Sequence, residues 1–224
     1  MSYNERLFKK GFRKSIHLAR FKWLKKKCNE YDVCCDTVVE LGCFDARSID
    51  YLPKLPSMYF GFDAGWEDGI KDAVEKYKNY SFLISSSPDD IKKIKNASLV
   101  LSLETLEHIE PDLLEAYFSV MRDVMANDAY FIITVPNEKG IIFLLKYILK
   151  ILYYNGVSNY SFKEIVAATT GRMAFVERNN HKGFDWQAMA KKLKIYFKVI
   201  KIEGIQADWL PPSLNVNIGI ICRK

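Results

Sequence analysis

Residues 37–47 read Thr37-Val38-Val39-Glu40-Leu41-Gly42-Cys43-Phe44-Asp45-Ala46-Arg47. The first five are β-branched or aliphatic apart from one acid, the composition of a strand covered on both faces. Gly42 then permits a sharp turn and close approach of the backbone to a ligand. Helix-period spacing over 46–52 follows. A buried strand, a tight turn and a helix make the first half of a β-α unit, and that rhythm repeats outward.

Further apolar runs lie at 58–62 (MYFGF), 81–85 (SFLIS), 98–103 (SLVLSL) and 130–135 (YFIITV), with helix-period stretches at 68–78, 88–94 and 111–126 between them. Continuous apolar strands alternating with helices predict parallel pairing with both sheet faces covered. After residue 135 the pattern changes. An apolar helix is expected at 140–154, and Ser161 with Glu164 reads as a capping box opening a helix through 169. Another helix is expected at 186–196. Strands near 199–205 and 216–222 flank Pro211-Pro212, as an antiparallel pair would. The fold class is therefore α/β: a doubly wound, Rossmann-like, seven-stranded, mostly parallel sheet with an antiparallel C-terminal edge strand. Residues 1–36 are expected as a basic N-terminal helical segment, and 37–224 as the main domain with a helical insertion at about 138–180.

In such sheets the ligand sits beyond the carboxyl ends of the strands, where strand order reverses. The second strand run is followed by Asp63, 21 residues after Gly42, about where an acid would bind ribose hydroxyls. A dinucleotide would require its pyrophosphate on a glycine-rich helix N-terminus. This turn has one glycine, with Phe44 and Ala46 where others would fall. S-adenosylmethionine has a ribose but no phosphate, and its sulfonium and ammonium would be favoured by Glu40 and Asp45. The chemistry points away from NAD. A plain strand-to-helix turn without a ligand is the competing reading.

The stretch VVELGCFDARS resembles the first motif of class I S-adenosylmethionine-dependent methyltransferases, and YFGFD at 59–63 resembles their second-strand motif ending in the ribose-binding acid. SLVLSLETLEHI at 98–109 and YFIITVPN at 130–137 are similar to their fourth- and fifth-strand motifs. Four motifs in order over 37–137 carry the resemblance. It implies a methyltransferase using S-adenosyl-L-methionine, with cofactor contacts from Glu40, Gly42, Asp45, Asp63 and Leu103. Phe44 and Ala46 replace the family's second and third glycines. For the adenine contact Ser86, Asp89 and Asp90 lie in the right region, with nothing to single one out.

Glu104, Glu107 and His108 follow the fourth strand. If they open a helix, offsets of three and four put them on one face. Two carboxylates and an imidazole suit Mg²⁺ or Mn²⁺. The tract E-x-x-E-H, with a later H-x-x-F-x-W beginning at His181, is similar to the small-RNA terminal 2′-O-methyltransferases. E-x-x-E-H also resembles the ubiquinone-biosynthesis O-methyltransferases, which carry an apolar insertion after the fifth strand. The resemblance implies Glu104, Glu107, His108 and His181 as metal ligands; the candidate catalytic groups are Glu104 and His108 or His181, whose ordinary imidazole pKa of about 6.5 suits taking the acceptor proton. A cofactor or acceptor role without metal stands beside this. So does a purely structural one, with the acids complementing a helix dipole.

Charge is unevenly spread. Residues 1–27 hold ten basic side chains and one acid, while the remaining 197 carry a net −3. A uniformly basic nucleic-acid coat is excluded. Phe8, Phe12, Ile16, Ala19 and Trp23 fall on a helical stripe, predicting a docked helix with a solvated basic face. Attraction to a membrane surface or RNA are the alternatives. The segment lacks the uncharged apolar core of a signal peptide, and its scarcity of Ser and excess of Lys over Arg weigh against a mitochondrial presequence. Five cysteines without a regular framework point to free thiols and a cytoplasmic location. The stretch 140–154, GIIFLLKYILKILYY, is too short to span a bilayer. It reads as a core or interface helix, or as one lying in a membrane surface or roofing an apolar substrate. The leading expectation is methyl transfer to a small or lipid- or glycan-linked acceptor, with peripheral membrane contact. RNA 2′-O-methylation and a non-catalytic, membrane-associated module that retains the fold are the alternatives.

Overall fold

The computed structural model describes residues 12–65, 67–154, 159–179 and 181–224. Seven strands form one sheet in the order β3-β2-β1-β4-β5-β7-β6. They are β1 (Thr37–Leu41), β2 (Met58–Asp63), β3 (Ser81–Ile84), β4 (Ala97–Leu103), β5 (Met125–Pro136), β6 (Lys198–Gly204) and β7 (Asn217–Arg223). The first five pair in parallel, and β7 runs antiparallel between β5 and β6. The order reverses between β1 and β4, so the position at which open α/β sheets generally bind ligands lies beyond Leu41 and Leu103.

Helices cover both faces. On one lie α1 (Phe12–Glu30), a 3₁₀ turn (Arg47–Tyr51) and α2 (Gly69–Lys76), packed on Val38, Leu99, Leu101 and Ile132. On the other, α3 (Pro111–Val124) and α6 (Trp186–Tyr196) pack on Val39, Val100, Phe131 and Ile133. The helix α3 has Pro111 in its first turn and buries Leu114, Tyr117, Phe118 and Met121, one face at helical spacing. Asp185 caps α6 by accepting from the backbone N–H groups of Gln187 and Ala188. Between β5 and α6, helices α4 (Gly140–Tyr154) and α5 (Phe162–Thr169) form a unit with its own small core around Phe143, Ala168 and Met173. The capping box of Ser161 and Glu164 is present.

Three local expectations change. The helical spacing at 46–52 and 88–94 resolves into 3₁₀ turns at Arg47–Tyr51 and Pro88–Asp90. A single turn shows the same local spacing as a helix without having its length. The α3 helix stops at Val124 because β5 begins at once with Met125, which pairs with Ala97. In α1 the deeply buried residues are Phe21, Trp23, Leu24, Lys27 and Cys28. Of the predicted stripe, Trp23 is buried, Ile16 and Ala19 are half-buried, and Phe8 and the side chain of Phe12 lie outside the described residues. Trp23 occupies the space a side chain on Gly219 would need, with a ring carbon 2.2 Å from an ideal Cβ, and its indole N–H donates to Glu203 at 2.7 Å. Lys27 is drawn out of the solvated basic face, pairing with Glu203 at 2.7 Å and Glu30 at 2.8 Å.

Candidate functional site

At the end of β1 the chain turns through three residues of positive φ: Gly42 at 66°, Phe44 at 47° and Ala46 at 53°. A left-handed backbone costs a residue with a Cβ about 1–2 kcal/mol, so the surroundings hold the turn in place. The N–H groups of Gly42 and Cys43 both donate to the carbonyl of Phe62, at 2.7 and 3.1 Å. Asp63 accepts from the Phe44 N–H at 3.1 Å and the Gly65 N–H at 2.9 Å, so the acid ending β2 is fixed by the turn it faces. The Phe44 ring packs against Gly69 at the start of α2.

The other acids of the turn are committed. Glu40 is buried beneath it and accepts from the hydroxyls of Ser48 and Tyr59. Burial raises its pKa to about 7 despite those donors. The Asp45 carboxylate is folded onto Arg47, with Nη2 at 2.7 Å.

The β4 end is built differently. Glu104 leaves the strand at φ 61° and the next residues form only the 3₁₀ turn Leu106–His108, so the helical face expected for Glu104, Glu107 and His108 does not form. Thr105 presses on the first turn, its Oγ1 2.0 Å from an ideal Cβ on Gly42, and donates to the carbonyl of Leu41 at 3.2 Å. One oxygen of Glu104 accepts from Asn217 Nδ2 at 2.9 Å, while Oε1 is buried without a hydrogen-bond partner. Glu107 has no exposed surface, and neither of its oxygens has a hydrogen-bond partner. Burial, then the charge of Glu104, pushes its carboxyl well above the usual range. Burial likewise raises Glu104. Leu103 is buried at the strand end, in the core on the α1 side of the sheet.

His181 arrives from the loop before α6. Its Nδ1 and His108 Nε2 each lie 3.9 Å from Glu107 Oε1, and the two rings meet edge-on with centroids 4.4 Å apart. Those distances are too long for hydrogen bonds. Desolvation, then the charges of His108, Lys146 and Arg178, lowers the pKa of His181 to about 4, although half its side chain is exposed. The imidazole is therefore neutral over the physiological range.

Glu107, His108 and His181 offer ligand atoms that all lie within 4.8 Å of one another. Glu104 is not part of that group, because its carboxylate is turned to Asn217. Orphaned buried oxygens beside a neutral imidazole suit a divalent cation in donor type and count, and equally an acceptor that donates N–H or O–H.

Three contributors were not singled out from sequence. Arg178 donates from Nη2 to the Glu107 carbonyl and lays its guanidinium 5.0 Å from the Phe184 ring centroid, pinning the His181 loop. Asn217 holds Glu104 from β7. Arg20 on α1 exerts its charge on Glu40, Glu104 and Glu107, and its Nε is buried without a hydrogen-bond partner. Only a basic residue in the N-terminal helix signalled it. Ser86 is exposed, Asp89 is paired with Lys92, and Asp90 accepts from Ser85, so the three adenine candidates remain distinct.

No family model and no curated protein sequence matches the chain. Solved structures do. An S-adenosylmethionine-dependent methyltransferase from Clostridium acetobutylicum aligns over 99% of this chain and 95% of its own, with TM-score 0.66 and 12% identity. The N-methyltransferase NodS from Bradyrhizobium japonicum, solved with S-adenosyl-L-homocysteine, aligns over 98% of this chain and 90% of its own, with TM-score 0.59 and 12% identity. The methyltransferase domain of bacterial CtHen1 aligns over 93% of this chain and all of its own, at TM-score 0.59 and 13% identity. The fold is the Rossmann-like fold of class I S-adenosylmethionine-dependent methyltransferases.

Proposed function

We propose that the chain is an S-adenosylmethionine-dependent methyltransferase acting on a hydroxyl or amine of a small or lipid- or glycan-linked acceptor. The observation that carries this is the first turn. Positions 44 and 46 hold positive φ without glycine, and that turn is bonded to Asp63 at the end of the neighbouring β2, beside the strand-order reversal between β1 and β4. Asp63 would accept from ribose hydroxyls, Leu103 would form an apolar wall, and the unpartnered Oε1 of Glu104 would receive the ammonium. Glu40 and Asp45, bonded to their own neighbours, would act through charge and turn geometry rather than contact.

S-adenosylmethionine supplies an activated methyl group, so the protein's task is alignment and exclusion of water. An acceptor between the two clusters would lie against His108 and His181. On transfer the acceptor atom would bond to the methyl carbon and the C–S bond would break, its electron pair left on sulfur. The acceptor's proton passes to His181, which is neutral and near a buried carboxylate. With Mg²⁺ or Mn²⁺ bound, Glu107, His108 and His181 would instead serve as its ligands, and the ion rather than His181 would acidify the acceptor hydroxyl.

Calorimetry with S-adenosylhomocysteine against NADH tests the cofactor class, and binding of NADH alone would overturn the reading. Replacing His181 by Ala should then abolish turnover and leave S-adenosylhomocysteine affinity intact; loss of both would sink the assignment of His181. RNA 2′-O-methylation is the second reading, supported by the Glu107-His108-His181 cluster and the basic α1. It requires steeply salt-dependent RNA binding. A chain that binds S-adenosylhomocysteine yet transfers no methyl group to any acceptor class would be the non-catalytic module.

A further inference from the structure

The outer face of α4 is inverted for a helix facing water. Ile141, Leu145, Ile148, Leu149 and Leu152 fall on one stripe and are 42–68% exposed, whereas Phe143 and Tyr147 point inward to the small core of the insertion. A surface helix normally turns its apolar face inward and its charges outward. Here Lys146 is turned off the stripe to bond Glu138 and the Asn137 carbonyl. The stripe runs about 16 Å along the helix. No helix among the described residues is long and apolar enough to cross a membrane.

Its surroundings are basic. On the insertion and its flanks Lys146 is paired with Glu138 and Glu164 with Lys182 at 2.8 Å, which leaves Lys150, Lys163 and Arg172 against the exposed Glu177. Lys150, Lys163 and Arg172 are exposed. The α4 helix also touches the turn Pro212–Leu214. That turn belongs to the same loop as Trp209, 80% exposed beside Asp208, which is bonded to Lys26 of α1. Lys22 and Lys25 of α1 are exposed as well.

We propose that this face is a docking surface for an anionic lipid bilayer, with the α4 stripe lying in the plane of the headgroups and the lysines on lipid phosphates and carboxylates. Charge complementarity selects this occupant over a second copy of the chain. Two copies apposed through α4 would bring their basic rims together, whereas an anionic surface accepts both the aliphatic stripe and the rim. The inference stands apart from methyl transfer, because adsorption needs neither cofactor nor acceptor.

The test is co-sedimentation of the purified chain with phosphatidylcholine vesicles, with and without phosphatidylserine. Binding should appear with the anionic vesicles and weaken with salt. The pair Leu145→Gln and Leu149→Gln should weaken it by about tenfold or more, as should Lys150→Glu with Lys163→Glu. Both pairs are exposed, and unchanged circular dichroism would show that the variants fold. Three results overturn the proposal: no binding to anionic vesicles, equal binding of both variants and the parent, or a dimer in sedimentation equilibrium that the leucine pair dissolves.

Discussion

Glu40 and Glu107 are both buried acids near the carboxyl ends of neighbouring strands, yet they are treated in opposite ways. Glu40 accepts from two hydroxyls, and the acid beside its turn, Asp63, accepts from two backbone N–H groups. Glu107 has no hydrogen-bond donor on either oxygen, and Glu104 has one on only one. Buried polar groups are almost always satisfied, so the first cluster is a finished scaffold and the second an incomplete one. The fold supplies the donors that shape the β1 turn and leaves the β4 cluster short of hydrogen-bond donors, as the proposed acceptor site would be.

The contrast is sharpest in activity. Glu107→Gln should lower turnover by about 10²–10⁴-fold, whereas Ser48→Ala should leave it unchanged. Glu107→Leu should also make the protein more stable in urea, because an unpaired buried carboxylate is removed. A less stable Glu107→Leu would make that acid a structural member and end the contrast.

Acid titration reads the other side. The folded pKa of Glu40, about 7, lies above the unfolded value near 4.5, so the folded state binds the extra proton between them. Its contribution to stability is fully present below about pH 4.5 and is lost as pH rises through about 7, to a limit of about 3 kcal/mol. Urea melts at acid and alkaline pH should show Glu40→Gln gaining on the parent as pH rises. A constant difference would mean that Ser48 and Tyr59 keep the carboxylate ionised.

Smaller effects test the turn itself. Tyr59→Phe should cost about 1–2 kcal/mol, more at alkaline pH where it strips a donor from an anion. Ala46→Gly should be nearly neutral, since relief of its positive φ offsets the lost methyl and the added chain entropy. A clear loss would show that Ala46 packing outweighs backbone strain.

The parallel strands were legible because covering both faces writes an uninterrupted apolar run, and β1 at Thr37–Leu41 is the clearest case. The capping box at Ser161 was legible because both of its partners are local. The β4 cluster was readable only in part. Glu107, His108 and His181 do meet, but the supposed helical face fails at Glu104, whose positive φ no residue pattern announces. Asn217 bonds Glu104 across 113 positions and Arg178 bonds Glu107 across 71, and contacts so distant leave no periodic trace. The apolar stripe of α4 was visible as composition, but which of its faces turned outward depended on Phe143 and Tyr147 finding α5.

The seat of Trp23 over Gly219 bears on how the chain is made. The indole's partner Glu203 lies 180 positions later, so the Trp23 side of α1 cannot be seated until β6 and β7 exist. At about 5–20 residues per second, synthesis keeps that seat open roughly 10–40 s. The basic side chains along the helix would then hold the unfinished face in solution and apart from its neighbours on the same message. The last strand to be made would be the one that retires it.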